Sequence, residues 1–409
     1  MRRAATGAGV LALFTALALA VTFPLARHLP THVAHFGDSP FHLAWVLAWG
    51  AHALGTHPLR LFDANLAWPL ERSFAFSEHL LGLQPFFAPV YALAGDATPG
   101  YNVVFVLSFA LSALTGYLLA RAWTGHAWAA LVAGALFGFA PFRFGHVNHL
   151  HVLVFFWAPL ALLFLERFIQ RRRGRDLTAF ALFYWLQALS SVYLGVFTTV
   201  AVVVHLVYAA ARDHSLLSRP VLGRLGVFAG ATLVVLGPLH WPYVEVRRAW
   251  GTPWTIGSFA GADLRDFVTA PPINPLYEAT SRLLVPQALD DRMLFPGLLL
   301  PVLTLVGAWA KIASVPGERV RRLRGLFVVM MVVALVLALG PYLLVWGVKT
   351  RFPLPYLVLA SAVPGLSAVR IPSRFVILAV LAATPLCALG AVKIAEVAAR
   401  WPAAARWRA

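Results

Sequence analysis

Leu177 to Ala210 reads LTAFALFYWLQALSSVYLGVFTTVAVVVHLVYAA, with no Asp, Glu, Lys or Arg anywhere in it. A bilayer core of roughly 30 Å takes about 20 apolar residues at 1.5 Å each, so this stretch suffices for one tilted crossing or two short ones. Its flanks decide between them. Arg171-Arg172-Arg173-Gly174-Arg175 precedes it and a basic stretch from Arg212 to Arg224 follows. Positive charge concentrates on the cytoplasmic side of membrane proteins, and only two crossings, broken near Ser190-Ser191-Val192-Tyr193, leave both tracts on that side.

Working outward, similar apolar runs cover about 8–26, 101–121, 126–142, 150–169, 177–190, 192–211, 222–240, 294–312, 325–346 and 374–395. Composition agrees: 60% of the 409 residues are hydrophobic and 12% charged, where soluble domains average near half and a quarter. The expected fold is all-α, a polytopic transmembrane bundle of about ten spans with outer-face juxtamembrane helices. It forms a single domain over 1–409 with no separate soluble part. The opening Met1-Arg2-Arg3 and the apolar run behind it imitate a signal peptide, but the repeated downstream segments favour an uncleaved first span.

The net charge of +17 would suit a nucleic-acid partner if it lay on one surface. Here the arginines fall in short tracts between apolar runs, the pattern of the positive-inside rule, and no nucleic-acid partner is expected. With both termini cytoplasmic, the outer regions are the loops at about 27–100 and 241–293 and a short one at 347–373. The stretch 79–97 is apolar, but Pro85 and Pro89 interrupt it, and proline disrupts a helix interior. Counting it as a span would invert every later segment, so it is read as a re-entrant or interfacial helix.

Several chemistries have no residues to carry them. Cys387 is the only cysteine, which excludes an intramolecular disulfide and thiolate metal sites. No phosphate-binding loop, dinucleotide fingerprint, His-Glu-x-x-His or Gly-x-Ser-x-Gly occurs. There are no paired halves of the inverted-repeat kind that mark secondary transporters. The spans are read as free of mid-helix charge, with Gln187, Ser190 and Ser191 the main polar groups at depth.

What remains gathers on the outer side. Phe36-Gly37-Asp38-Ser39-Pro40-Phe41-His42 opens a Trp-rich apolar helix, with Asp38 and His42 four apart and able to share a face. Trp45 and Trp49 suit the membrane–water interface. Asp63 follows in Leu61-Phe62-Asp63-Ala64-Asn65, and Glu78 in Ser77-Glu78-His79; acids near a helix start are favoured, so Glu78 also reads as a cap. Arg143, His146, His149 and His151 form a basic tract, His146 and His149 being spaced to lie together in a helix. Arg370 and Arg374 flank Pro372-Ser373, a helix-start signal. Free N–H groups and the macrodipole favour an anion there, and the guanidinium fork suits phosphate. Trp250, Trp254, Asp263, Asp266, Tyr277, Asp290 and Asp291 lie in the 241–293 loop without a defined role.

Together with Leu80-Leu81-Gly82, Ala140-Pro141-Phe142-Arg143-Phe144-Gly145-His146, Val363-Pro364-Gly365 and Val369-Arg370-Ile371-Pro372-Ser373-Arg374-Phe375, these stretches resemble the GT-C superfamily of integral membrane glycosyltransferases. The resemblance is to its bacterial YfhO-like and RgtA/B/C/D-like members. It implies sugar transfer from a polyprenyl-phosphate donor to an acceptor hydroxyl, with inversion, on the outer face of the bacterial cytoplasmic membrane. The implied catalytic carboxylates are Asp38, as general base, and Glu78. Arg143, His146, His149, Arg370 and Arg374 are implied at the lipid phosphate. The superfamily often pairs two acids in its first outer loop, whereas Asp38 stands beside Ser39. No metal ligand set and no cofactor are expected, although the pattern leaves a divalent ion open. A lipid or lipid-linked saccharide flippase and a non-catalytic scaffold of the same shape are the alternative readings.

Overall fold

The computed structural model describes residues 2–35, 37–251, 255, 259–273, 277, 279, 283, 290–363 and 365–400. Pro364, Phe36, Trp254 and the remainder of the 252–289 stretch, all named above, lie outside the described residues. The chain folds into two compact units. The first holds Met1–Leu111, His146–Ser258 and Gly365–Val369; the second holds Ser112–Gly145, Phe259–Pro364 and Arg370–Ala409.

In the first unit, α1 (Arg2–Val21) is followed by α2 (Asp38–Thr56) and α3 (Gln84–Ala94). At 11 residues, α3 reaches about 16 Å, half a bilayer core. Pro85 starts it, where the missing N–H costs nothing, and Gly95 ends it with φ +67°. Asp96 Oδ1 then accepts from Thr98 N at 2.6 Å to start α4 (Ala97–Thr124), which passes from this unit into the other. A turn at Leu150–Leu153 leads to α6 (Ala158–Arg171), followed by α7 (Gly174–Ser190), α8 (Val192–Arg212) and α9 (Arg219–Trp250).

The break between α7 and α8 falls at Ser191, whose extended backbone (ψ 126°) and hydroxyl, accepting from Leu194 N, make an N-cap. The other polar residues at depth are structural as well. Gln187 Oε1 accepts from Trp157 N and Ala158 N at 3.2 and 3.1 Å, satisfying the start of α6, and its Nε2 donates to Val154 O. One ionisable pair lies within the spans, with Glu166 in the last turns of α6 and not at mid-helix. Glu166 on α6 and His205 on α8 are both buried and meet at 2.8 Å. The hydrogen bond satisfies polar atoms that are hidden from water on facing helices, a pairing 39 residues apart that periodicity does not reveal.

The second unit is built around α13 (Val376–Ala398). The most apolar stretch of the Pro372–Ala398 span is wholly buried. Packed near it are α5 (Ala127–Gly138), α10 (Leu299–Trp309) and α11 (Gly317–Ala338). Two glycines let α10 and α13 touch: a Cβ on Gly307 would strike Leu386 O, and one on Gly390 would strike Leu303 O. Small residues at such crossings let membrane helices approach closely. Gly134 and Gly138 do the same for α5 against Ala113 of α4.

The run expected to span 325–346 is divided differently. The helix begins at Gly317 and ends at Ala338, and Tyr342–Val345 (β1) pairs antiparallel with Val348–Pro353 (β2) before α12 (Pro355–Ala362). The two linking residues, Trp346 and Gly347, have φ of +52° and +83°, as a tight right-twisting hairpin turn requires. The all-α expectation therefore misses this one ribbon. The 241–293 loop is also shorter than expected, since α9 continues to Trp250 through Pro238 and Pro242.

Every one of the ten expected runs holds a helix. Among the described residues six helices are long and apolar enough to cross a membrane, namely Ala97–Thr124, Ala127–Phe144, Leu150–Arg171, Val192–Arg212, Arg219–Trp250 and Pro372–Ala398. Shorter apolar helices cover Gly7–Val21, Leu81–Ala94 and Leu299–Trp309. The α9 span keeps most of its apolar surface outward, with Val227, Leu233 and Val234 each above 70% exposed, which suits hydrocarbon as the surrounding medium. Six crossings and ten alike leave both termini on one side.

Candidate functional site

Asp38 occupies the first turn of α2, behind Gly37 at the N-cap, and its side chain is not buried. A carboxylate at that end of a helix sits favourably against the dipole. Among the described residues it makes no hydrogen bond or ion pair. His42 is one turn on, and its Nε2 lies 2.8 Å from Ser77 Oγ. That bond joins the Asp38 helix to the Ser77-Glu78-His79 segment. Burial lowers the His42 pKa from its ordinary value, favouring the neutral ring.

Glu78 is engaged. Its carboxylate accepts from Val192 N at 2.5 Å, Tyr193 N at 3.2 Å and Ser191 Oγ at 3.4 Å. The two amides are orphan donors at the start of α8, so Glu78 caps a helix. The helix is α8 rather than the one beginning near residue 81, beside which Glu78 stands in the sequence. Next to it, Tyr243 donates to Ser77 O at 2.9 Å. His79 is fully buried, with His240 and Tyr243 at ring distances of 6.4 and 6.2 Å. Burial, reinforced by His240, brings the His79 pKa down to about 3. Asp63 is exposed.

The tryptophans differ from expectation. Trp45 donates to Asn65 Oδ1 at 3.1 Å and Trp49 to Leu61 O at 2.8 Å. Their N–H groups hold the 61–65 segment against α2 instead of reaching lipid headgroups.

In the basic tract, His149 N bonds His146 O at 2.8 Å and the two rings sit 5.9 Å apart, in a turn and not in the helix expected; the His149 and His151 rings are 5.6 Å apart. These histidines belong to the first unit, with Asp38 and Glu78. Arg143, Arg370 and Arg374 belong to the second. Arg143 has no exposed surface and reaches Ser112 Oγ at 3.3 Å. No group of three or more His, Cys, Asp or Glu among the described residues is arranged to hold a metal ion.

Arg370 is exposed and precedes the helical turn Pro372–Phe375, whereas Arg374 lies within it and is 5% exposed. They therefore do not share a helical face. The Arg374 fork already holds a carboxylate: its Nε and Nη2 donate to Asp291 Oδ1 and Oδ2 at 2.7 and 3.2 Å. Such two-point pairing is the strong form of the guanidinium–carboxylate contact.

A second buried ionic cluster is not visible in the sequence. Asp263 has no exposed surface and accepts from Arg265 N, Trp346 N and Gly347 N, with the Arg292 guanidinium 3.3 Å away. Burial alone would raise its pKa, but these N–H groups and Arg265 hold it below the ordinary value. Asp266 takes Arg292 Nε at 3.0 Å and completes a capping box with Asp263. For Asp266 burial wins and the pKa is raised. The Asp263-x-x-Asp266 spacing carried the local signal; the partners at 292 and 346 carried none. The cluster ties the hairpin turn to the 263–268 segment and is part of the architecture.

A family described as "6-pyruvoyl-tetrahydropterin synthase related domain; membrane protein" matches residues 85–283, just under half of the chain. No curated protein and no solved structure matches it. With the apolar helices described above, the chain is an integral, polytopic membrane protein.

Proposed function

We propose that the protein is a membrane glycosyltransferase of GT-C type, moving a sugar from a polyprenyl-phosphate donor to an acceptor hydroxyl at the outer face of a bacterial cytoplasmic membrane. The observation that carries the reading is the state of Asp38: accessible, at a helix start, and free of any bond among the described residues. A general base must have its oxygens available to the incoming proton. Of the two implied carboxylates only Asp38 meets that condition, because Glu78 is committed to α8. Asp38 is thus the base and Glu78 holds the loop that follows it. His42, bonded to Ser77, fixes the α2 end on which Asp38 stands.

Of the two arginines implied at the leaving phosphate, Arg374 is committed to Asp291. The matched family's description names a membrane protein and a relation to a pterin synthase, and it offers no support for sugar transfer. The test is Asp38→Asn in vesicles supplied with a panel of radiolabelled polyprenyl-phosphate sugars. Release of polyprenyl phosphate should drop by about 10²–10⁴-fold, the range for losing a general base, with normal folding. Undiminished release would overturn the assignment.

One observation favours the flippase alternative, the buried Glu166–His205 pair, since intramembrane ionisable groups usually serve function. Under that reading Asp38→Asn leaves the protein unaffected and Glu166→Gln stops lipid movement between leaflets.

A further inference from the structure

A cavity of about 220 Å³ lies in the second unit among α10, α11 and α13, with Phe267, Pro296 and Thr304 also in its lining. Leu300, Leu305, Met331 and Ala383 are among its walls, and the surface they present inward is apolar throughout. It is half-open, and the α10 face at its edge carries Val302 and Leu305 at 52% and 60% exposure. In a protein that crosses a bilayer, that face meets hydrocarbon.

Water does not suit such a space, because a buried water needs two to four polar partners. An empty cavity is unfavourable too, since its lining forgoes dispersion contacts. Apolar cavities of roughly 150 Å³ take up small hydrocarbons, and this one is larger and continuous with the lipid-facing surface. Nothing on its wall selects for a headgroup. By mass action the occupant is therefore the most concentrated chain in the surrounding medium.

We infer that the cavity holds part of one acyl chain of a bilayer phospholipid, seated as part of the packing between α10, α11 and α13. The inference is independent of sugar transfer.

The protein would be reconstituted in phosphatidylethanolamine–phosphatidylglycerol vesicles containing phosphatidylglycerol with a diazirine on one acyl chain, then illuminated and mapped. Labels should fall on Leu300, Met331 and Val380, which line the cavity, as well as on the outward face of α9 around Val227. Ala383→Phe, which fills the space, should lower the cavity labels about tenfold and leave the α9 labels unchanged. Thr304→Leu, a smaller filling change, covers the case in which Ala383→Phe does not fold. Equal cavity labelling in wild type and a folded variant would overturn the inference, as would labels confined to α9. So would displacement of the cavity label by a trace of polyprenyl phosphate, which would give the space to an isoprenoid instead.

Discussion

Replacing Glu78 separates a structural carboxylate from a chemical one. Its two oxygens serve Val192 N, Tyr193 N and Ser191 Oγ, and Val192 and Tyr193 are only half-buried. In Glu78→Ala the two amides lose a charge-assisted acceptor, and loss of an N-terminal cap costs about 0.5–2 kcal/mol. The negative charge against the helix dipole is worth about 0.3–1 kcal/mol when partly exposed. Each donor left poorly solvated adds about 1–3 kcal/mol, here toward the low end because water retains access. With two amides the sum is about 3–5 kcal/mol for alanine. Glu78→Gln keeps one acceptor oxygen and loses the charge, so its cost is about half that. Chemical denaturation of the purified protein in detergent, with unfolding followed by Trp fluorescence, measures both. The reasoning fails if Glu78→Ala unfolds within about 0.5 kcal/mol of wild type, the ordinary range for a surface change. A variant that stable yet unable to transfer sugar would return Glu78 to the chemistry.

His79 sets a pH dependence. Its folded pKa of about 3 lies below the unfolded value of 6.5, so the unfolded chain binds the extra proton first. Stability is full above pH 6.5 and falls by up to about 1.4 kcal/mol per pH unit below it; His79→Gln should flatten the slope between about pH 7 and 5 relative to wild type. His42, shifted in the same direction, contributes in both proteins and cancels in that comparison. At the α10–α13 crossing, Gly390→Ala places a methyl against Leu303 O and should cost about 1–3 kcal/mol through overpacking, read as an earlier thermal midpoint in detergent. Asp263→Ala leaves Arg292 with half its partners and two hairpin N–H groups without theirs. Breaking a buried pair costs about 3–5 kcal/mol, and limited proteolysis should then cut near Trp346 first.

The helices were legible because hydrocarbon imposes a length and a composition that a sequence states directly, and the Ser190-Ser191 break was legible because the flanking arginines leave only one topology. The hairpin was not, since Tyr342-Leu343-Leu344-Val345 continues an apolar run without changing its hydropathy. Its signal was Gly347, which suits the second position of a two-residue turn. Trp45 and Trp49 show the limit of a general preference: an indole suited to headgroups also bonds Asn65 and Leu61 when the chain folds back. The candidate site was readable only as a set of residue types. That Asp38 stands free while Glu78 and Arg374 are engaged depends on partners 114 and 83 residues away, and no local pattern encodes such distances.

The grip of Glu78 on α8 also bears on biogenesis. Val192 leaves the ribosome 114 residues after Glu78, an interval of about 6–20 s at ordinary rates of synthesis. Throughout it Glu78 has no α8 start to cap. The segment that carries the proposed base thus gains this contact only once almost half of the chain has been made.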